Sequence, residues 1–374
     1  MTTGTGDSSV ETTATHPEET RYWVAFHRVP YVGGARLRKL REHFGDLGTA
    51  WAAPANALGA VLDDRSLSHV VQARQEYSPE TEMARIERLG IRVVTLGEDG
   101  YPALLREIPA PPPVLYLKGA LVPGDRVAVA MVGTRRMTPY GRDVAIQIAS
   151  ELAAAGVTVV SGLARGIDAI AHEAALRAEG RTVAVMGSGV NVIYPPEHRT
   201  LAGRIEGAGA LLSDYPPDRK PDAQNFPARN RIVAGLSLGT IVVEAPERSG
   251  TLITSDFAAD YGREVFVVPG SVMSDQSRGC HRLLRNGARL VSSAADVLED
   301  LGLDGRATET AVQQALPMDE DERRLLALLT GEPQHIDEVA EASGRPVHHV
   351  AATLLTLELQ GMVRNLGAQH YARR

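Results

Sequence analysis

The chain has 374 residues, enough for two or three domains, and 44% of them are hydrophobic, which allows a full core. The formal net charge is −7, so bulk attraction to nucleic acid is excluded and any such surface has to come from local clustering of cations. A single cysteine, Cys280, excludes an intramolecular disulfide framework and a multi-cysteine metal site.

Residues 1–20 are small, polar and rich in threonine, with no apolar signal segment, and read as a disordered tail. Residues 21–95 read as a domain of short helices. Within it a Gly33-Gly34 turn leads into Leu37, Leu40 and Phe44 at helical spacing. Between Arg21 and Gly45, six cations (Arg21, Arg28, Arg36, Arg38, Lys39, Arg41) face one acid, Glu42. A Gly-Gly turn feeding a basic helix is similar to helix-hairpin-helix modules that hold DNA backbone. An ordinary solvated helix face fits the same residues.

A proline-rich passage over 96–118, with Tyr101-Pro102 and Pro111-Pro112-Pro113, reads as an extended connector opening a second domain, 96–300. Short apolar runs then alternate with helical segments: Val127–Val132, Val157–Val160, Thr182–Met186, Ala210–Leu212, Thr240–Val243, Val265–Val268 and Arg289–Val291. This is the pattern of βαβ units, predicting an α/β fold with an extended Rossmann-like, mostly parallel sheet. Residues 301–318 read as a linker. Residues 319–374 read as three helices and a hairpin, a C-terminal winged helix. That last stretch holds nine acids and six arginines, a net of −3, which favours protein contact over groove reading. No run approaches the ~20 apolar residues of a membrane span, and the cytoplasm is the expected location.

In an open parallel sheet, ligands sit beyond the carboxyl ends of the strands, where helix N-termini expose free amides. The loops there carry Arg135, Arg136, Arg142, Arg165, Arg199, Arg229, Arg231, Arg248 and Arg278, whereas lysine occurs only at Lys39, Lys118 and Lys220. Arginine offers a planar fork of donors that suits phosphate and stacks on bases. A basic crescent on an acidic protein suits a polyanion. Gly133, Thr134 and Arg135 form one candidate phosphate cradle. Ser161, Gly162, Arg165 and Gly166 repeat the design after the next strand. His198 and Arg199, the FPARNR residues Phe226, Arg229, Asn230 and Arg231, and the turn Ser249-Gly250-Thr251 complete the candidate DNA-binding set. Phe226 is either a stacking platform for an unpaired base or a core residue closing the turn.

No G-x-G-x-x-G follows the first strand of this series and no G-x-x-x-x-G-K-[ST] occurs, so neither a dinucleotide cofactor nor ATP hydrolysis is expected. Asp168 and His172 stand four apart on one helix near Ser161. No G-x-S-x-G accompanies them, so Asp168 is expected to brace its loop.

Seven segments occur in order over about 127–291: GTRRMTPYG, SGLARGIDAIAH, VMGSGVNVIYPPEHR, FPARNRIVAGLS, VVEAPERSGTLIT, REVFVVPGS and GCHRLLRNGARLV. Together they resemble the DNA processing protein A (DprA, or Smf) family. The resemblance implies a non-enzymatic protein that binds and protects single-stranded DNA and helps load RecA during natural transformation, with no cofactor. Arg135 matches the family's G-[ST]-R contact, and Phe226, Arg229 and Arg231 its second contact region. His281 and Leu290 match the family's homodimer surface. A lysine often follows the Tyr-Pro turn in the family; here the run is PPEHR, and His198 and Arg199 stand in for that charge.

Two rivals stay open. The SGTLIT run resembles nucleoside-monophosphate phosphoribohydrolases, but Thr254 stands where their P-G-G-x-G-T-x-x-E motif ends in glutamate. A RecA-binding scaffold without DNA contact fits the acidic tail and leaves the arginine crescent unexplained.

Overall fold

The computed structural model describes residues 17–303, 320–330, 333–359, 363–367 and 369–373. It divides into two units: residues 1–153 with 157–294, and residues 154–156 with 295–374.

The first unit opens with α1 (Pro17–His27), α2 (Gly34–Phe44), α3 (Leu47–Ala52), α4 (Ala55–Leu58), α5 (Asp64–Glu76) and α6 (Pro79–Arg88). Side-chain caps start three of them: Asp46 accepts from the Thr49 amide at 2.7 Å, Asp63 from Ser66 at 2.9 Å and Ser78 from Thr81 at 3.2 Å. Trp23, Phe26, Leu37, Leu40, Leu47, Leu58 and Ile86 form their core, joined by Val114 and Tyr116 from the sheet. Helix α1 corrects the expected tail boundary, because Pro17 opens it three residues before Thr20. Thr20 donates to Glu98 at 2.8 Å and Glu19 pairs with Arg41 at 3.3 Å, which ties that turn down. The rest of the expected tail, residues 1–16, lies outside the described residues.

The local +5 also looks different in three dimensions. Arg21 pairs with Glu80, Arg28 with Glu82, Arg36 with Asp63 and Arg41 with Glu19, so acids distant in sequence offset four of the six cations.

The sheet consists of β1 (Arg92–Thr95), β2 (Val114–Gly119), β3 (Ala128–Val132), β4 (Thr158–Ser161), β5 (Thr182–Val185), β6 (Ala210–Ser213), β7 (Gly239–Val242), β8 (Glu264–Val267) and β9 (Arg289–Leu290). Helices α7 (Ala103–Arg106), α8 (Pro139–Ala154), α9 (Ile167–Arg177), α10 (Arg199–Ala208), α11 (Asn225–Gly235), α12 (Thr251–Asp260) and α13 (Arg278–Arg285) connect them. The spatial order is β1-β2-β6-β5-β4-β3-β7-β8-β9. All seven expected strands are present, parallel from β6 through β9.

Strands β1 and β2 correct the reading of 96–118 as a connector only. The three prolines stop pairing at Pro113. Val114, Leu115, Tyr116 and Leu117 are then buried, and β2 pairs antiparallel with both β6 and β1. The sheet therefore begins at Arg92, inside the stretch expected to be helical.

The second unit holds α14 (Ala294–Asp300), α15 (Glu320–Leu328), β10 (Gln334–His335), α16 (Ile336–Ser343), α17 (Val347–Leu359), β11 (Val363–Gly367) and β12 (His370–Arg373). The last three helices pack through Leu325, Leu329, Ile336, Val339, Val350, Leu354 and Leu357 against a three-stranded antiparallel sheet, a winged helix. Helix α17 carries no arginine or lysine. Most of the expected linker, residues 304–318, lies outside the described residues. Among the described residues no helix is long and apolar enough to cross a membrane.

Two histidines, His172 buried and His27 half-buried, make the first unit sensitive to acid. His27 of α1 is held to about 4 by burial, with Arg231 adding to the shift, and His172 of α9 to about 3 by burial, with Arg229 and His198 adding. Both fall below the ordinary 6.5, so the unfolded chain takes up these protons first. Stability is therefore complete above pH 6.5 and drains away as pH falls towards the folded values. Each histidine is expected to cost about 2 kcal/mol at pH 5 relative to pH 8. Thermal unfolding across that range checks this. His172→Gln should flatten the pH dependence, and an unchanged slope would refute the assignment.

Candidate functional site

Strand β3 pairs with β4 on one edge and β7 on the other, and the chain order reverses there. The loops leaving β3 and β7 part at such a switch point and open a cleft beyond the carboxyl ends. A cavity of about 690 Å³ lies here. Its wall includes Gly133, Thr134 and Arg135 after β3, Gly162 and Asp168 after β4, and Tyr194 after β5. Phe226, Arg229 and Asn230 of α11 and Arg248–Thr251 with Thr254 after β7 complete it.

The loop after β3 is held by Glu244, which is 3% exposed at the end of the buried β7 run. The Thr134 amide donates to the Glu244 carbonyl at 2.7 Å. The Thr138 amide donates to Oε2 at 2.9 Å and its hydroxyl to Oε1 at 2.6 Å. Thr134 Oγ1 in turn accepts from the Arg136 amide at 3.2 Å. The backbone is thus fixed from below, and Arg135 and Arg136 extend exposed from the tip.

The loop after β4 turns at Gly166, whose φ of +83° is left-handed and whose α-hydrogen side faces the Thr134 carbonyl too closely for a β-carbon. Asp168 Oδ2 accepts from the Gly162 amide at 3.2 Å and the Ala164 amide at 3.4 Å, the bracing role expected of it. Ser161 is buried and donates to the Met131 carbonyl at 2.6 Å, tying β4 to β3 rather than facing the cavity. Arg165 is exposed and paired with Glu197 at 2.5 Å, and His198 Nδ1 contacts the Leu163 carbonyl at 2.9 Å. Arg199 is exposed at the start of α10.

Helix α11 supplies the floor. Arg229 is 5% exposed, donates to the Val185 carbonyl and lies so close to Gly162 that a side chain there would displace it. Burial pulls its pKa down while Asp168 supports the charge. Burial likewise pushes Asp168 up, opposed by Arg229 and the loop amides. Arg231 turns away, to Asp214 at 2.7 Å and the Ala110 carbonyl at 2.5 Å. Asn230 donates to the Gly250 carbonyl at 3.2 Å and joins α11 to the loop after β7, where the Thr251 amide donates to Ser249 Oγ at 3.2 Å. The Phe226 ring lies 5.5 Å from that of Tyr194, centroid to centroid, so it lines the cavity and does not join the core clusters.

The cavity therefore gathers Gly133, Thr134, Arg135, Gly162, Phe226, Arg229, Asn230, Ser249, Gly250 and Thr251. Arg136, Ser161, Arg165, Gly166, His198, Arg199 and Arg231 stand outside its wall. Away from it, His281 Nε2 contacts the Gly270 carbonyl at 3.0 Å, and Leu290 is 57% exposed on β9. Tyr194 in the wall and Glu244 beneath it belong to the site although the sequence set omits them, and Arg248, read among the loop arginines but left out of that set, lines the wall as well. A carboxylate directly ending an apolar strand run, as in VVEAP, is the signal that points to Glu244. Glu244→Ala strands the Thr138 amide and hydroxyl and is expected to cost about 1–3 kcal/mol, read as a lowered midpoint in thermal unfolding. An unchanged midpoint would remove Glu244 as the brace.

The family model for DNA recombination-mediator protein A matches residues 92–302, and that for the DprA winged helix domain matches residues 306–369. Protein Smf of Synechocystis sp. is 36% identical over 95% of this chain and 99% of its own length. Protein Smf of Escherichia coli is 37% identical over 88% of this chain and 92% of its own. The X-ray structure of DNA processing protein A from Streptococcus pneumoniae is 34% identical, with a TM-score of 0.66 over 75% of this chain and 98% of that one. A Helicobacter pylori DNA processing protein A, whose structure concerns its single-stranded DNA binding mode, is 31% identical, with a TM-score of 0.52 over 57% of this chain and 96% of that one. With its sheet unit and its winged helix both matched, the chain belongs to the DNA recombination-mediator protein A (DprA/Smf) family.

Proposed function

We propose that the protein binds single-stranded DNA along the rim of this cavity, protects it and hands it to RecA as a recombination mediator, as in natural transformation. The observation that carries the reading is the set of cations at the rim. Arg135, Arg136 and Arg248 are exposed, and none of them pairs with a described carboxylate. Exposed arginines beside helix N-termini suit phosphates, and the Phe226–Tyr194 wall suits unpaired bases. The Helicobacter pylori relative's single-stranded DNA binding mode supports the same ligand. Arg165 joins the contact by exchanging Glu197 for a phosphate. Thr254, standing in the cavity wall where the phosphoribohydrolase motif carries glutamate, supports binding without catalysis.

The homodimer proposed with this function uses the β8–β9 side. Leu290 is exposed there, and the loop after β8 that His281 braces exposes Val272 and Met273 at 79% and 89%. The absence of arginine and lysine from α17 favours a protein partner for the winged helix, and the proposed compartment is the cytoplasm.

Arg135→Ala is expected to weaken binding of an unstructured oligonucleotide by about tenfold and to lower the slope of log affinity against log salt by roughly 0.7. Unchanged affinity and slope would remove that loop from the interface. RecA should be retained by the immobilised full-length chain in the presence of single-stranded DNA. Retention that disappears when the chain ends at Leu301 assigns the contact to the winged helix, and no retention by either refutes the RecA reading.

A further inference from the structure

Residues 214–224 form the loop after β6, and Pro221, Asp222 and Ala223 of it line the cavity. By sequence the loop holds three acids, Asp214, Asp218 and Asp222, against two cations, Arg219 and Lys220. Folding engages each of the acids. Asp214 pairs with Arg231, and Asp222 Oδ1 accepts from the Gln224 amide at 2.8 Å. Asp218 is taken by Arg85 of α6 and by Asn191. Arg219 and Lys220 are exposed, and no described carboxylate pairs with either.

Arg85 stands in a chain of alternating charge that begins inside the helical domain. Glu82, 2% exposed, pairs with Arg28 and with Arg85 at 3.0 Å, and the other terminal nitrogen of Arg85 reaches Asp218 Oδ2. Asp218 has a left-handed φ of +64°, which aspartate tolerates. Asn191, in the loop after β5, fixes it twice: its Nδ2 donates to Asp218 Oδ1 at 2.6 Å, and its Oδ1 accepts from the Asp218 amide at 2.9 Å. The Gly189 amide donates to the Arg219 carbonyl at 2.9 Å, at an approach that leaves no room for a β-carbon. In the sheet β6 lies four strands from β7, so at ~4.8 Å per strand this loop and the Arg248 loop leave it roughly 19 Å apart. The cavity lies between them.

A carboxylate beside two cations offsets them within a Debye length unless another cation neutralises it first. We infer that Arg85 is a positioning residue for DNA binding: by holding Asp218 it links the helical domain to the loop after β6 and leaves Arg219 and Lys220 free to meet phosphates on the lip opposite Arg248. The inference rests on the single-stranded DNA-binding reading and gives the helical domain a part in it.

Fluorescence anisotropy of the full-length chain with a dT oligomer of about 16 nucleotides, between about 50 and 200 mM salt, tests it. Arg85→Gln keeps the stem and a donor for Glu82 but frees Asp218. It is expected to weaken binding about fivefold and to lower the slope of log affinity against log salt by roughly 0.7, one phosphate contact. Arg85→Lys, which keeps the charge, should bind like the wild type. Adding Asp218→Asn to Arg85→Gln removes the freed acid, keeps acceptor and amide for Asn191, and should restore affinity and slope; a merely structural Arg85 gains nothing from it. Arg219→Gln with Lys220→Gln, both at exposed positions, should lower the slope by roughly 1.4 and make binding indifferent to Arg85→Gln. Unchanged binding in that pair overturns the inference whether or not the Arg85 variants fold. So does a loss in Arg85→Gln that Asp218→Asn leaves in place, or no loss at all. A wild type that binds no oligomer overturns the DNA-binding reading as well.

Discussion

Strand β3 is hydrogen-bonded to β4 along one side and to β7 along the other, and the loops after β3 and β7 have no further strand between them. Everything at the site follows from this placement. The opened cleft needs a floor, which β4, β5 and α11 supply through Gly162, Val185 and Arg229. It also needs its loops held apart, and Glu244, at the end of β7, fastens the loop after β3 through Thr134 and Thr138. The same buried carboxylate thus bridges the two strands that define the switch point.

Charge on this protein is organised by pairing rather than by number. Arginines that look equivalent along the chain separate into three groups once folded. Arg231 and Arg165 meet carboxylates, Arg229 is buried against backbone, and Arg135, Arg136 and Arg248 reach solvent without a described acid. The helices α1–α6 repeat the lesson, because their sequence cluster of cations is spread over acids from α1, α6 and the N-cap of α5. A net charge of −7 is then compatible with a cationic rim, since attraction to a polyanion is set within about a Debye length of the contact.

The buried polar groups beneath the rim serve different ends. His172 is kept neutral against Thr182, and Ser161 ties two strands together. Asp168 and Arg229 are placed near enough to support each other's charge against the burial that opposes it.

The parallel core was readable from residues 127–291 because fully buried strands are continuous apolar runs, and each run here, from Ala128–Val132 to Glu264–Val267, is bounded by glycine, proline or polar turns. The loop glycines and the arginine at Arg135 were readable for the same local reason: turn geometry and helix N-termini are set by neighbours in sequence. Strand β2 was hidden by the prolines before it, since its pairing with β6 depends on a partner about a hundred residues away. Helix α1 was hidden among polar residues for a like reason, its anchors Glu98 and Arg41 being remote in the chain. Which arginines reach solvent at the cavity rim, that Glu244 braces the first loop, and that Asp168 and Arg229 share one cavity were decided only by the tertiary fold. Ion pairing and burial depend on distances in space, and spacing along the chain carries no record of them.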